Sequence, residues 1–262
     1  VEGIQLGTQE IFVTPPGFFV GVNQAFQVPD APGLFTDEMH ANNSITDPAF
    51  RDPYVDLALA KGVRGLSLFM YGPTQYATLA PFRTLADLKG KKIRVLASKM
   101  ESELVAQFGG TGVPMDYTEV LGALTNKTLD GVRTSMVVMG GSKFFTVTKY
   151  LTVTNDGYIP DAIWASEAFL QKLPAEVRAQ LITLGRDMEK ENIEIALDFG
   201  KKSEQMWKDN GAEVIRLSAA DQKEYMDRVA PLGDKYLANH DNPQVRQMYA
   251  LLKASVEKHR KK

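Results

Sequence analysis

The chain contains no cysteine. Disulfides, thiolate metal sites and a cysteine nucleophile are excluded together. Histidine is nearly as scarce: His40, His240 and His259 are the three among 262 residues. They stand at no metal-ligand spacing such as H-E-x-x-H, so zinc catalysis and a serine–histidine–aspartate triad have little to work with. They read as surface histidines, and no metal or cofactor is expected. G-x-G-x-x-G, a P-loop and G-x-S-x-G are also missing. The pairs Gly109-Gly110 and Gly140-Gly141 read as turns rather than phosphate cradles. No run approaches the ~18 consecutive apolar residues of a membrane-crossing helix. No basic segment followed by an apolar one opens the chain as a signal peptide would. An excess of one charge is lacking too, with 30 basic against 32 acidic side chains and a net charge of −2. Basic residues cluster only at Lys258, Arg260, Lys261 and Lys262, whereas a nucleic-acid binder carries a basic footprint. Nucleic acid is therefore not an expected partner.

What is present is an ordinary globular composition, 44% hydrophobic and 24% charged. The length suits one large domain or two of ordinary size. Short apolar runs bounded by turn residues predict strands at Ile11–Thr14, Leu66–Met70, Ile93–Leu96, Val113–Met115, Arg133–Met139, Ala162–Ala165 and Val214–Leu217. Helical spacing predicts a helix over Ser102–Phe108 and another capped by Thr118 and reaching about Asn126. Strands alternating with helices indicate α/β architecture.

From Pro174 to about Asn210 no proline intervenes, and Gly211 follows. Val177, Leu181, Leu184, Met188, Ile195 and Phe199 recur at helical spacing. A single helix there would be about three times the mean length and would run along more than one lobe. The alternative is two helices broken near Asn192 or Gly200. Ser218 with Asp221 makes a capping-box-like start, and Asn242-Pro243 starts a final helix whose basic end suits the helix dipole.

Leu88 to Val95, LKGKKIRV, resembles the DLKGxKIRV signature of the DctP-type solute-binding proteins of TRAP transporters. Other stretches match that family in order: Ile4–Val13 (IQLGTQEIFV), Gly112–Met115 (GVPM), Glu119–Gly131 (EVLGALTNKTLDG), Lys143–Thr154 (KFFTVTKYLTVT) and Phe169–Arg178 (FLQKLPAEVR). Each alone is weak; together they cover residues 1 to about 215. In the family a strand, a helix and a second strand precede the first of these stretches, so the resemblance implies that the central strand of the first lobe is not in this chain. The resemblance implies a two-lobed periplasmic-binding-protein-like fold, with crossing hinge strands and one long helix spanning both lobes. Lobe I is expected at 1–71 and 160–199, lobe II at 72–159 and 200–262. It also implies an exported, periplasmic receptor, its signal peptide outside this chain, that hands an organic acid to the small and large membrane subunits of the transporter.

By the same resemblance Arg94 forms a salt bridge with the ligand carboxylate, and its planar fork of donors suits that role. Thr134 stands where the family places a ligand-contacting asparagine. Arg133 beside it either supplies a second charge or faces solvent, since neighbours on a strand point oppositely. Tyr71, Gln75 and Tyr76 stand where some relatives carry a second arginine, and offer neutral hydrogen bonds. One carboxylate on one arginine is then expected rather than a dicarboxylate on two. Phe18, Phe19, Trp164 and Met136 are candidates for an apolar or aromatic wall, although Phe18 and Phe19 read equally well as core. A ligand so framed is a monocarboxylate with an apolar or aromatic body. The other readings are a sensory ligand-binding module with the same ligand chemistry and, with no recognisable nucleophile or cofactor site, an enzyme on a similar scaffold.

Overall fold

The computed structural model describes residues 1–260; Lys261 and Lys262, half of the basic cluster noted at the end of the sequence, lie outside the described residues. Seven strands form one mixed sheet: β1 (Ile11–Val13), β2 (Val63–Thr78), β3 (Lys92–Val95), β4 (Thr111–Pro114), β5 (Gly131–Ser135), β6 (Tyr150–Ser166) and β7 (Glu213–Arg216). Their order is β1-β6-β2-β5-β3-β4, with β7 on β6. The two long strands, β2 and β6, run antiparallel to each other. One end of this pair carries β1, and the other carries β5 with the parallel strands β3 and β4. The pair thus links the two lobes, as crossing hinge strands do. Their register shifts between Met70 and Pro73 and again before Gln75. Gly72 sits within that irregularity at φ 126°, where a Cβ would come within 2.9 Å of the Ser135 hydroxyl. Such a bulge re-aims the residues beside it.

Two of the expected short strands, Leu66–Met70 and Ala162–Ala165, are therefore the middles of strands of 16 and 17 residues. The expected strand over Arg133–Met139 ends at Ser135, whose hydroxyl caps a helix over Met136–Gly141 by accepting from the Val137 amide. Asp116, not Thr118, is the residue before the helix Tyr117–Thr125.

The long helix is unbroken over Ala175–Asp209, about 52 Å at 1.5 Å per residue. The side it buries is not the one periodicity suggested. Gly185, Glu189, Ala196, Ser203 and Trp207 are buried, while Val177, Leu184, Ile195 and Phe199 are exposed. The cause is close approach to β2. A Cβ on Gly185 would lie 2.6 Å from Leu66 Cβ and 2.9 Å from its carbonyl oxygen, so only a small residue fits there. Further along, Glu189 accepts from the Leu68 amide at 3.0 Å and from Arg51 Nε at 2.6 Å. Trp207 closes the far end, donating to the Met136 carbonyl at 3.2 Å. Gly185→Ala is expected to lower stability by about 1–3 kcal/mol despite alanine's better helix propensity, because the obstacle is backbone. Gly200→Ala, whose Cβ would meet only a Glu38 oxygen at 3.9 Å, should instead stabilise by up to about 1 kcal/mol. Thermal unfolding of the two variants checks both signs.

The larger core gathers Phe19, Phe26, Tyr54 and Trp164 and continues to Tyr76, Phe82 and Tyr225. The final helix, Pro243–His259, buries Val245, Met248 and Leu252 in it. That helix packs on residues 24–30, 38–45 and 48–55, all of them within the span expected for lobe I. It also covers His40, which is 2% exposed rather than a surface histidine. His40 Nε2 bonds the Val256 carbonyl at 2.9 Å, and Nδ1 meets the Thr36 amide at 3.1 Å. A second core, with Val120, Leu124, Val132 and Phe145, lies on the β5 side around Trp207.

Candidate ligand-binding cleft

The strand β3 brings Arg94 to a cleft by simple alternation. A turn of helix, Leu85–Leu88, is closed by a capping box between Thr84 and Asp87. Gly90 then reverses the chain at φ 73°, and Ile93 and Val95 enter the core. Arg94 alternates to the other side. Its neighbours β4 and β5 run parallel to it, so the three strands deliver their carboxyl ends to one place, where open α/β sheets bind ligands. A cavity of about 470 Å³ lies there. Arg94 lies near the end of β3 and Leu96 follows that strand, Tyr117 and Thr118 follow β4, and Thr134 lies near the end of β5 with Val137 in the helix after it. The opposite wall is Phe12 and Thr14 with Phe18 just beyond β1, and Tyr71, Ile159 and Asp161 on the crossing strands. A second groove shares Phe18, Arg94, Leu96 and Asp116.

Arg94 is 2% exposed. Its Nε donates to the Met115 carbonyl at 3.0 Å, and its guanidinium carbon lies 5.7 Å from the Tyr117 ring centroid. Among the described residues it forms no salt bridge and no other side-chain hydrogen bond, which leaves its two terminal amino groups for a ligand. Burial pulls its pKa below the ordinary arginine value, opposed in part by the Glu101 carboxylate.

Thr134, also a cavity residue, is 4% exposed. Arg133 points the other way, but it reaches neither the cleft nor solvent. It is 1% exposed and held by two acids, Nη1 donating to Glu101 Oε1 at 2.7 Å and Nη2 to Asp156. The space behind the sheet is packed by the helix that carries Glu101 and by β6, so alternation turned this side chain into a filled interior. Phe18 lines the cavity, half-buried, whereas Phe19 packs into the core, its ring centroid 4.7 Å from that of Trp164 and tilted to it. Trp164 is fully buried and donates to the Thr14 carbonyl at 3.0 Å, behind the wall rather than in it. Met136 packs with the second core. Of Tyr71, Gln75 and Tyr76, it is Tyr71, just before the bulge at Gly72, that lines the cavity. Gln75 is spent bridging Asn155 and the Thr154 amide, and Tyr76 pairs with the Tyr225 hydroxyl at 2.9 Å.

The cleft also contains two groups that sequence reasoning missed. Tyr117 underlies Arg94 and donates to the Val138 carbonyl at 2.9 Å. Asp161 lines the cavity at 9% exposure, and burial pushes its carboxyl up to about 7. A lone acid between Ile159-Pro160 and Ala162-Ile163 was the available signal, since strands that bury such runs keep acids only with a reason. Among the described residues no group of histidines and acids could hold a metal ion, and no helix is long and apolar enough to cross a membrane.

Comparison with known proteins places this geometry. A profile of bacterial extracellular solute-binding proteins, family 7, matches residues 1–239. The chain is 28% identical over 228 residues to the 2,3-diketo-L-gulonate-binding periplasmic protein of Escherichia coli K12, covering 87% of this chain and 69% of that one. It is also 28% identical over 245 residues to a C4-dicarboxylate-binding periplasmic protein of Vibrio cholerae, covering 90% and 71%. In fold it is similar to a TRAP periplasmic solute-binding protein from Desulfovibrio salexigens crystallised with orotic acid. The TM-score there is 0.88 at 23% identity, with 99% of this chain and 83% of that one covered. The periplasmic ectoine-binding protein of Halomonas elongata gives a TM-score of 0.87 at 22% identity, covering 98% and 85%.

Proposed function

Because the chain belongs to family 7 of the bacterial extracellular solute-binding proteins, the receptors of TRAP transporters, we propose that its cleft captures an organic acid carrying one carboxylate and an apolar or aromatic body. Proteins of this family are periplasmic, bind small organic ligands and work with membrane permeases; we infer delivery to a small and a large TRAP subunit. One observation carries the ligand reading. The buried arginines Arg51 and Arg133 are paired with Glu189 and with Glu101 and Asp156, and Arg94 alone of the three forms no salt bridge among the described residues. A buried cation without a counter-charge is costly, and a ligand carboxylate supplies the missing charge in a two-bond fork. Leu96, Phe12, Phe18, Val137 and Ile159 offer the body of the ligand an apolar wall, the usual mix in small-molecule sites. Closure of the lobes over the cavity, hinging on β2 and β6, would then bury the anion.

The test is a thermal-shift screen of C4-dicarboxylates, 2-oxo acids and aromatic monocarboxylates. A ligand at ~100 times its Kd stabilises by ~2.7 kcal/mol, a rise in Tm of roughly 5–10 °C at this size. Monocarboxylates with apolar bodies should give it. A shift confined to dicarboxylates would sink the monocarboxylate assignment, and a screen without any shift would sink the organic-acid one.

A further inference from the structure

A carboxylate ligand answers Arg94 and leaves Asp161 unanswered. Asp161 lines the same cavity, and the one hydrogen bond its side chain makes among the described residues comes from the Ala162 amide at 2.8 Å. No lysine, arginine or histidine among the described residues pairs with it. Among the other buried acids, Glu189, Glu101, Asp156 and Asp47 each face an arginine or a lysine; Asp30 forms no salt bridge among the described residues either, but it does not line this cavity. The polar groups of the cavity come from two walls. The Arg94 guanidinium, near the end of β3, lies over Tyr117; Tyr71 and Asp161 come from the crossing strands β2 and β6. A cation and an acid thus line one cavity from different walls, each beside a tyrosine-bearing element, with Phe12, Phe18, Val137 and Ile159 as apolar walls.

We propose that the ligand is a zwitterion, its carboxylate held by Arg94 and a protonated nitrogen held by Asp161; this rests on reading the cavity as the ligand site. Buried charges are retained where they are paired. A cationic nitrogen meets the ionised Asp161 as the carboxylate meets Arg94, so the closed cavity ends with two compensated pairs. A nitrogen-free acid would leave Asp161 a buried lone charge unless it took up a proton. The two ligand types therefore differ in the sign of their pH dependence. The free carboxyl, raised by burial to about 7, must be ionised to hold a cation, so zwitterion binding weakens as pH falls through that range. Binding of a nitrogen-free acid, which favours the protonated form, strengthens as pH falls. The other titratable groups facing the cavity are Tyr71 on β2, Arg94 on β3, Tyr117 on its helix and Asp116 at the solvent-exposed rim. Burial raises both tyrosines above their ordinary value, and arginine stays charged.

The experiment is calorimetric titration with amino acids and cyclic imino acids against their nitrogen-free counterparts, for example phenylalanine against 3-phenylpropanoate and pipecolate against cyclohexanecarboxylate. It is run near pH 6 and pH 8 on the unaltered protein, Asp161→Asn and Arg94→Ala. At least one nitrogen-bearing acid should bind tenfold or more tighter than its counterpart, weaken near pH 6, and lose roughly thirtyfold in Asp161→Asn. The pH dependence of the unaltered protein stands even where that variant folds poorly. Nitrogen-free acids binding as tightly, tightening at low pH and depending on Arg94 would overturn the zwitterion and keep the carboxylate receptor. Binding indifferent to Arg94, or absent throughout the panel, would overturn both readings.

Discussion

Arg94→Ala is expected to weaken ligand binding by at least about a hundredfold while leaving the fold intact. Losing one partner of a buried charge pair costs about 2–5 kcal/mol, and ~1.4 kcal/mol is tenfold in Kd. Arg94→Lys should recover only a small part. An ammonium keeps the charge but not the planar fork that meets a carboxylate in two bonds, and a shorter reach across the Tyr117 face loses the ring contact as well. The fold should tolerate both changes because Arg94 forms no salt bridge among the described residues and is only the last of the influences that hold the Glu101 carboxyl down. Removing it forfeits the Nε bond to Met115 and a ring contact of about 0.5–1 kcal/mol. It also relieves the desolvation that depresses its pKa. Ligand-free Tm should therefore move by only a few degrees. Calorimetry beside thermal unfolding separates the two effects, and an alanine variant with unchanged affinity would remove Arg94 as the anchor.

Arg133 should behave in the opposite way. Arg133→Met removes the one cation between Glu101 and Asp156, whose side chains are 1% and 0% exposed. Breaking a buried pair leaves uncompensated charge and costs about 3–5 kcal/mol, or roughly 6–20 °C in Tm at this size. The loss should depend on pH. Burial already raises the Glu101 carboxyl, with Arg133 holding it down; without the guanidinium the folded-state pKa rises further above the unfolded value. A group so raised contributes stability at low pH and loses it as pH rises. The variant should thus lie closer to the unaltered protein near pH 5 than near pH 8 in urea unfolding. An equal deficit at both would mean that the acids are not what destabilises it. Only a modest loss of affinity, through the shape of the cleft, is expected in molecules that remain folded.

Arg94 and Arg133 are nearly indistinguishable as strand residues beside apolar neighbours. What separated them in the sequence was the KIRV context of Arg94, a family signature. Nothing local marked Arg133, because Glu101 and Asp156 come from segments 32 and 23 residues away. The same reasoning covers the aromatics. Phe18 and Phe19 alternate on one short turn, so one had to face the cleft and the other the core. Which was which depended on Trp164, whose ring meets Phe19 at a tilt from β6. Gln75 and Tyr76 looked like ligand donors because the irregularity at Gly72, which turns Tyr71 alone to the cleft, has no signature beyond a glycine and a proline.

The sequence by itself determined the family, the alternating α/β order, the helical stretch after Pro174, though not whether it was one helix or two, and the strand position of Arg94. These follow from short motifs, from capping residues and from the absence of a breaker, all properties of neighbours along the chain. The tertiary structure alone decided which side of the long helix is buried, that His40 lies beneath the final helix, that Arg133 is neutralised inside, and that Asp161 shares the cavity with Arg94. Each of those depends on which distant segment arrives opposite. Gly185 shows the reason most directly. A stripe of large apolar residues ran along another side of its helix, but β2 passes too close at Leu66 for a side chain there. The helix therefore turned its glycine, alanine and serine inward and left Leu184, Ile195 and Phe199 outside.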